Sequence, residues 1–327
     1  MKKERFILNR EAYFDNAKAI LIFLVIIGHM MSKFIGDSHL IGSTYFFIYT
    51  FHMPAFVLIS GYFSKKVYQP GYIRKIAKKL LIPYLILQTM YSMYYYFVFD
   101  DSISFSLFIP RWALWFLLSL FFWNILLYFF GKIKFGLLLA ILISLLVGYV
   151  SEVNEVLSLS RTFFFFPFFL MGYHLEKKHF KKLKTRTNLT IGLILSIVIF
   201  AIVYKYIPLD FNVWLMEKRS YAEMSDLPSN IVWLARLCTY FVMAIATYMF
   251  LVLVPKRKVF FTSIGRVTMA IYLSHMAIVR IFYDSTLRDF IENSGQYWIL
   301  IIGGISIVYL LSRKPFVKVM NKIAMGK

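Results

Sequence analysis

Long apolar runs separated by short polar segments repeat from one end of the chain to the other. Ten runs are long enough to cross about 30 Å of hydrocarbon as helices. Their approximate limits are 17–36, 40–63, 80–99, 112–130, 135–150, 161–175, 188–207, 229–254, 262–283 and 296–312. The fifth and sixth are short and fit tilted, broken or partly re-entrant helices. The pattern predicts an all-α fold: one membrane domain over residues 1–327, a polytopic bundle of about ten transmembrane helices with no soluble domain attached. No internal repeat is visible, which disfavours a transporter built from two matched halves.

Charge in the connecting segments alternates in sign. Lys2, Lys3, Arg5 and Arg10 precede the first run; Lys65, Lys66, Arg74, Lys75, Lys78 and Lys79 follow the second. Lys132 and Lys134, then Lys177, Lys178, Lys181, Lys182, Lys184 and Arg186, then Lys256, Arg257 and Lys258 continue the series. Arg313, Lys314, Lys318, Lys322 and Lys327 end it. Most acidic residues fall in the intervening loops: Asp37, Asp100, Asp101, Glu152, Glu155, Asp210, Glu217, Glu223, Asp226, Asp284, Asp289 and Glu292. The positive-inside rule therefore puts both termini in the cytoplasm. An even count of spans requires the same. Trp112, Trp115, Trp233 and Trp298 fall near the outer ends of their runs, where interfacial anchors belong.

Composition agrees with a membrane bundle: 60% of the 327 residues are hydrophobic, 20% aromatic and 16% charged. The net charge of +21 would suggest nucleic acid in a soluble protein, but its confinement to alternate loops removes that reading. The single cysteine, Cys238, allows no intramolecular disulfide. The polar, basic first sixteen residues are followed by an apolar run with no small-x-small site, which predicts an uncleaved signal-anchor.

Polar residues at depth carry the candidate chemistry. Lys18 and His29 lie eleven positions apart on the first run, within about 20° of one helical face and roughly 16 Å apart along the axis. Asp15 stands three residues before Lys18, where the two can pair. His29, His52 and His275 fall at a similar depth on three different runs, which suggests a shared polar cavity. The alternative is that each makes its own interhelical hydrogen bond. Lys18 and Arg266 lie near the cytoplasmic ends of their runs; Arg161, Arg236 and Arg280 lie towards the outer ends, where snorkelling is the default for each. No H-E-x-x-H motif or cysteine pair accompanies the histidines, so no metal is expected. The run Phe163-Phe164-Phe165-Phe166-Pro167-Phe168-Phe169 reads as lipid-facing or packed helix. The loop 208–228, with Trp214, Lys218, Arg219, Tyr221, Glu223 and Asp226, reads as a solvated loop or as a sugar-holding surface.

The lysine and histidine with ten residues between them, and Asp15 before them, resemble the first-span signature of the acyltransferase 3 family of integral membrane O-acyltransferases, in its fucose 4-O-acetylase-like branch. The resemblance continues through Tyr45–Pro54, Ile59-Ser60-Gly61-Tyr62-Phe63, Leu81-Ile82-Pro83-Tyr84, Trp112-Ala113-Leu114-Trp115-Phe116-Leu117 and Ser160-Arg161-Thr162. Pro167 and Gly172 follow, and Gly265-Arg266 leading to Ile271-Tyr272-Leu273-Ser274-His275 closes it. It covers almost the whole chain in order, with lysine at position 18 where arginine is commoner.

The resemblance implies a multi-pass protein of the bacterial cytoplasmic membrane. It also implies a cytoplasmic acyl-coenzyme A donor, with acetyl the expected group, and a glycan or lipid-linked saccharide acceptor at the outer face. Glycan-synthesis machinery is a further expected partner. In the mechanism expected here, Lys18, oriented by Asp15, holds the anionic donor head with Arg266. A neutral His29 takes the proton of a sugar hydroxyl attacking the thioester, Arg161 binds or stabilises charge on the acceptor side, and His52 and His275 position groups in the cavity. A transporter or flippase of a lipid-linked glycan is the competing class, since midplane histidines also suit proton coupling; a non-catalytic scaffold is a third.

Overall fold

The structure, a computed structural model, describes residues 11–99, 107–208 and 211–325. Lys2, Lys3, Arg5, Arg10, Asp100, Asp101, Asp210 and Lys327, counted above, lie outside them. Sixteen α-helices are described: α1 (Ala12–Met31), α2 (His39–Tyr49), α3 (His52–Tyr62), α4 (Tyr72–Phe99), α5 (Trp115–Phe130), α6 (Gly136–Val147), α7 (Leu159–His174) and α8 (Lys177–Lys182). There follow α9 (Arg186–Tyr206), α10 (Asn212–Met216), α11 (Tyr221–Met224), α12 (Val232–Leu253), α13 (Thr268–Tyr283), α14 (Thr286–Ser294), α15 (Trp298–Leu311) and α16 (Lys314–Met325). No strand occurs among the described residues, so the protein is all-α, as the apolar pattern predicts.

Each of the ten apolar runs falls on a helix, the second on α2 and α3 together. Among the described residues, six segments are long and apolar enough to cross a membrane, and a seventh qualifies if α15 and α16 count as one span bent by 69°. Helices α6 and α13 are apolar but shorter. Helix α4 has 28 residues but carries Gln88 and a series of tyrosines, which hold down its hydropathy. Several of these polar groups face inward. Tyr84 and Gln88 donate to the carbonyls of Leu107 and Ile109, and Tyr91 and Tyr94 to those of Leu273 and Ala277 on α13.

Two close contacts set the frame. Helices α3 and α7 cross backbone to backbone: a Cβ on Gly61 would sit 1.9 Å from the Phe169 oxygen, and one on Gly172 1.9 Å from the Leu58 oxygen. Only glycine permits that approach. The break between α2 and α3 has its cause in Pro54, which has no N–H and whose ring crowds the carbonyl four residues earlier. There the chain tightens, with Phe51 N bonding Ile48 O at 3.2 Å, and His52 becomes the first residue of α3.

The loops gather at two ends. At the basic end, Phe14 stacks on Tyr62 at 4.6 Å and meets Phe180 edge-on at 5.0 Å. Tyr13 there donates to Leu251 O. At the opposite end, Tyr283 bonds Ser32 and His29 O, and Tyr149 donates to Ser229 O. The side chains of Phe164–Phe166, Phe168 and Phe169 are buried, so the phenylalanine run is packed helix.

Candidate active site

At the basic end, Asp15 lies in the first turn of α1, where a carboxylate favours the helix dipole. Its side chain is 3% exposed and forms ion pairs with two cations, Lys18 Nζ at 3.0 Å and Arg266 Nε at 3.6 Å. Arg266 belongs to the 3-10 turn before α13 rather than to a span. Gly265 explains how it reaches Asp15: a Cβ there would lie 1.9 Å from the Asp15 carbonyl oxygen. Asn16 secures the same junction, donating to the carbonyls of Pro255 and Arg257 and accepting from Thr262. The motif residues Asp15, Lys18 and Gly265-Arg266 thus form one cluster. Lys18 and Arg266 keep 17% and 41% of their side-chain surface exposed, so an anion can reach both.

Some basic residues that composition would count as anion attractors are spent on helix ends. Lys184 Nζ donates to the carbonyls of Leu251, Val252 and Val254 at 2.8, 2.7 and 2.6 Å, satisfying the last turn of α12. Burial, with Lys256 adding, pushes its ammonium down to about 8. Lys65 does the same for α7, donating to Tyr173 O and, at 2.8 Å, to Leu175 O.

Three helical turns up α1 from Lys18, the His29 ring meets that of His275 on α13, with centroids 5.4 Å apart. His29 keeps accessible surface, while His275 is fully buried. The carbonyl of His29, in the open last turn of α1, accepts from Tyr283 at 2.8 Å and Ser32 Oγ at 2.6 Å, fixing the helix end under its ring. His275 Nδ1 lies 2.6 Å from Tyr272 O. A carbonyl only accepts, so Nδ1 carries the proton and Nε2 the lone pair. That Nε2 is buried without a partner.

His52 shows the same arrangement. Its Nδ1 donates to Ile48 O at 2.9 Å, across the break made by Pro54. Its ring stands edge-on to Tyr49 at 4.4 Å, and Tyr49 stacks on Tyr45 at 3.9 Å and covers Gly28. Neither bond is interhelical: His52 and His275 each bond a carbonyl three or four residues earlier in their own segment, and the His275 ring meets that of His29. Among the described residues, no three His, Cys, Asp or Glu side chains converge as metal ligands.

A cavity of about 250 Å³ opens at the end opposite the basic loops, lined by Pro110, Trp112, Asn154, Glu155, Ser158, Arg161 and Lys218. Arg161 sits at its base. Its Nε donates to Met216 O at 3.0 Å, and its guanidinium lies 4.5 Å over the Trp115 ring. Trp112 of the cavity lining lies 5.9 Å from the Tyr283 ring, whose hydroxyl bonds His29 O, so the cavity and the histidines are neighbours. A second cavity of about 130 Å³, lined by residues including Met53, Ser60, Phe116, Thr268 and Tyr272, lies between α3, α5 and α13. The Tyr272 ring is 5.6 Å from that of His275.

Backbone strain marks the larger cavity. Four non-glycine residues among those described have left-handed φ: Trp112 (48°), Leu157 (51°), Ser158 (54°) and Glu217 (48°). Trp112 and Ser158 line the cavity, and the other two adjoin its lining residues Ser158 and Lys218. Each such residue costs about 1–3 kcal/mol, and such residues cluster at functional sites.

This end also corrects several expectations. Trp115 is 9% exposed and serves as a platform for Arg161 rather than as an interfacial anchor. Arg236 does not snorkel: it is fully buried, pairs with Glu217 at 2.6 Å and donates to Ser144 O. Arg280 pairs with Asp284 at 3.4 Å. In the 208–228 loop, Trp214 and Tyr221 are buried, and Lys218 alone of the charged residues named there lines the cavity. The exposed aromatic face at the cavity is Trp112, which sequence reasoning took for an anchor.

The comparisons fit this picture. The sequence model of a family described as an acyltransferase domain, acyltransferase 3, matches residues 11–313. The nodulation protein NolL of Mesorhizobium japonicum is 44% identical over 90 residues, covering 25% of this chain and 24% of that protein. NolL of Sinorhizobium fredii is 39% identical over 84 residues, covering 24% of this chain and 23% of that protein. The chain thus matches about a quarter of the length of these curated relatives. No solved structure matches it. The family match runs from the first described turn of α1 to the end of α15, and the chain belongs to the acyltransferase 3 family.

Proposed function

We propose that this protein is a membrane O-acyltransferase that moves an acyl group, acetyl by expectation, from acyl-coenzyme A to a hydroxyl of a glycan or lipid-linked saccharide. The observation that carries this reading is the layout of α1. Its foot bears the Asp15–Lys18–Arg266 cluster, and its far end brings His29 against His275, beside a cavity based on Arg161. One helix joins an anion-binding end to a polar chamber.

In this reading the chain is a single domain of ten spans in the bacterial cytoplasmic membrane. The basic end and both termini face the cytoplasm, in keeping with the positive-inside rule. Lys18 and Arg266 hold the phosphates of the donor, with Asp15 keeping the two cations together. The thioester arm enters between α1, α3 and α13. His29 takes the proton from the acceptor hydroxyl as its oxygen attacks the thioester carbonyl, and the thiolate of coenzyme A leaves. His275 Nε2, a lone pair facing away from its own carbonyl bond, can accept an N–H from the His29 ring and leave the other His29 nitrogen free as the base. His52 positions the chamber wall. Arg161 steadies the negative charge that develops on the carbonyl oxygen or binds the acceptor.

The test is to incubate the purified protein with labelled acetyl-coenzyme A and a panel of candidate glycans, with transport of the unmodified glycan followed in parallel. Label on the sugar supports the transferase. Glycan movement without label supports a transporter or flippase and overturns the proposal.

A further inference from the structure

The cavity beside His29 carries more positive charge than a neutral sugar needs. Its charged lining residues are Arg161, Lys218 and Glu155. Glu155 is engaged only loosely, 3.7 Å from Lys218 Nζ, with both side chains more than a third exposed. Such a contact contributes little. Arg161 has no carboxylate partner within ion-pair distance among the described residues. Its Nε donates to the Met216 carbonyl, its guanidinium lies over the Trp115 ring, and among the described residues no hydrogen bond engages its Nη groups, Glu155 acting on it only through its charge.

Lys218 is also held in place in a way that a solvated loop lysine is not. Three consecutive residues act together. Met216 O binds Arg161, the Glu217 carboxylate is pulled into the bundle to meet Arg236 at 2.6 Å with neither side chain exposed, and Lys218 is turned to the cavity. The turn requires the left-handed backbone at Glu217. Arg236 is fixed in turn by Ser144 O and by the Tyr221 ring, 4.5 Å away. Burial and the charge of Arg161 both lower the proton affinity of Lys218, with Glu155 opposing. The two cations line one cavity in which Glu155 is the one carboxylate.

We propose that the acceptor bound in this cavity is anionic, with a carboxylate or phosphate group held between Arg161 and Lys218 while Trp112 offers a face to the sugar ring. This rests on the transferase reading for the word acceptor, but the anion site can be tested without turnover. Bridging two cations by one anion adds charge-assisted hydrogen bonds, enough for about a tenfold preference over the matched neutral sugar.

The experiment uses the full chain in lipid nanodiscs at fixed ionic strength. Tryptophan emission, to which Trp112 contributes from the cavity lining and Trp115 from beneath Arg161, is titrated with methyl β-D-glucuronide, methyl β-D-glucoside 6-phosphate and methyl β-D-glucoside. The inference expects at least one anionic glycoside to bind about tenfold tighter than the neutral one. The two anionic arms distinguish carboxylate from phosphate. The preference should collapse in Lys218→Gln, return in Lys218→Arg, and weaken as salt is raised. Equal affinity for charged and neutral sugars, a preference that survives Lys218→Gln, or saturable binding of none of the three would overturn it. The two readings fail separately. Label transferred only to neutral sugars removes the anion site and leaves the transferase. An anion preference that depends on Lys218, in a protein that labels no sugar, does the reverse.

Discussion

Gly265→Ala tests whether the Asp15 cluster works as a unit. The new Cβ would lie 1.9 Å from the Asp15 carbonyl oxygen, 2.5 Å from its carbon and 2.6 Å from its Cα. All three are backbone atoms of α1, so no side chain can swing aside. An ordinary contact is near 3.4 Å, so the turn carrying Arg266 must withdraw by roughly 1.5 Å, the shortfall in the closest contact. Arg266 Nε now stands 3.6 Å from Asp15; after that movement it lies at about 5 Å, outside ion-pair distance. Overpacking of this kind costs about 1–3 kcal/mol of stability. Losing one charge-assisted contact to the donor costs about 1.5 kcal/mol, near tenfold in binding. The assay is steady-state acyl transfer with varied acyl-coenzyme A. Donor KM should rise about tenfold with kcat within a factor of two or so, since His29 lies some 16 Å from the cluster. Arg266→Gln should give a similar rise, and the double variant should add little to either. A fall in kcat at unchanged donor KM, or fully additive effects, would refute the reasoning.

Other outcomes follow from buried groups. Arg236→Leu strands the Glu217 carboxylate and should cost about 3–5 kcal/mol, read as a lower thermal midpoint, while adding Glu217→Leu should recover most of it. Burial raises Glu217 from 4.5 to about 7 against the lowering pull of Arg236. Between those values the folded chain keeps a proton that the unfolded chain has released, so stability should fall as pH rises through that window. Glu217→Gln should remove that slope in a thermal melt taken at several pH values; a slope of opposite sign would contradict the assignment. Lys184→Ala removes the lysine donor from the carbonyls of Val252 and Val254, Leu251 O keeping Tyr13, and should destabilise by about 1–3 kcal/mol without changing donor KM.

The helices were legible in the sequence because hydrocarbon sets a minimum apolar length, and all ten runs lie on helices. The Lys18–His29 register was legible too, since helical geometry alone puts them on one face. The end of α1 at Met31 and the late start of α13 at Thr268 were less so, because Phe34 and Ile35, and Ile264 and Val267, extend the apolar count across the polar residues beside those ends. The pairing of His29 with His275 needed the crossing of two helices far apart in the chain; depth alone could only make it reasonable. The break that presents His52 went unread, the second run reading as continuous over 40–63, although Pro54 carries a local signal for it in the carbonyl it crowds. The larger cavity was not legible. Its residues come from loops without periodicity, turned by left-handed backbone at Trp112, Ser158 and Glu217, types that carry no local signal for it. The burial of Arg236 was hidden for a related reason: a lone arginine near a span end looks the same whether it reaches solvent or a buried carboxylate.

The central proposal is that donor and acceptor meet at His29 from opposite ends of the bundle. Proteoliposomes of uniform orientation, with labelled acetyl-coenzyme A only on the side of the basic loops and the glycan only on the other, test it directly. The account predicts label on the glycan with the native chain and a loss of about 10²–10⁴-fold in His29→Ala, with membrane insertion unchanged. Undiminished transfer by His29→Ala, or transfer only when both substrates share one side, would contradict it.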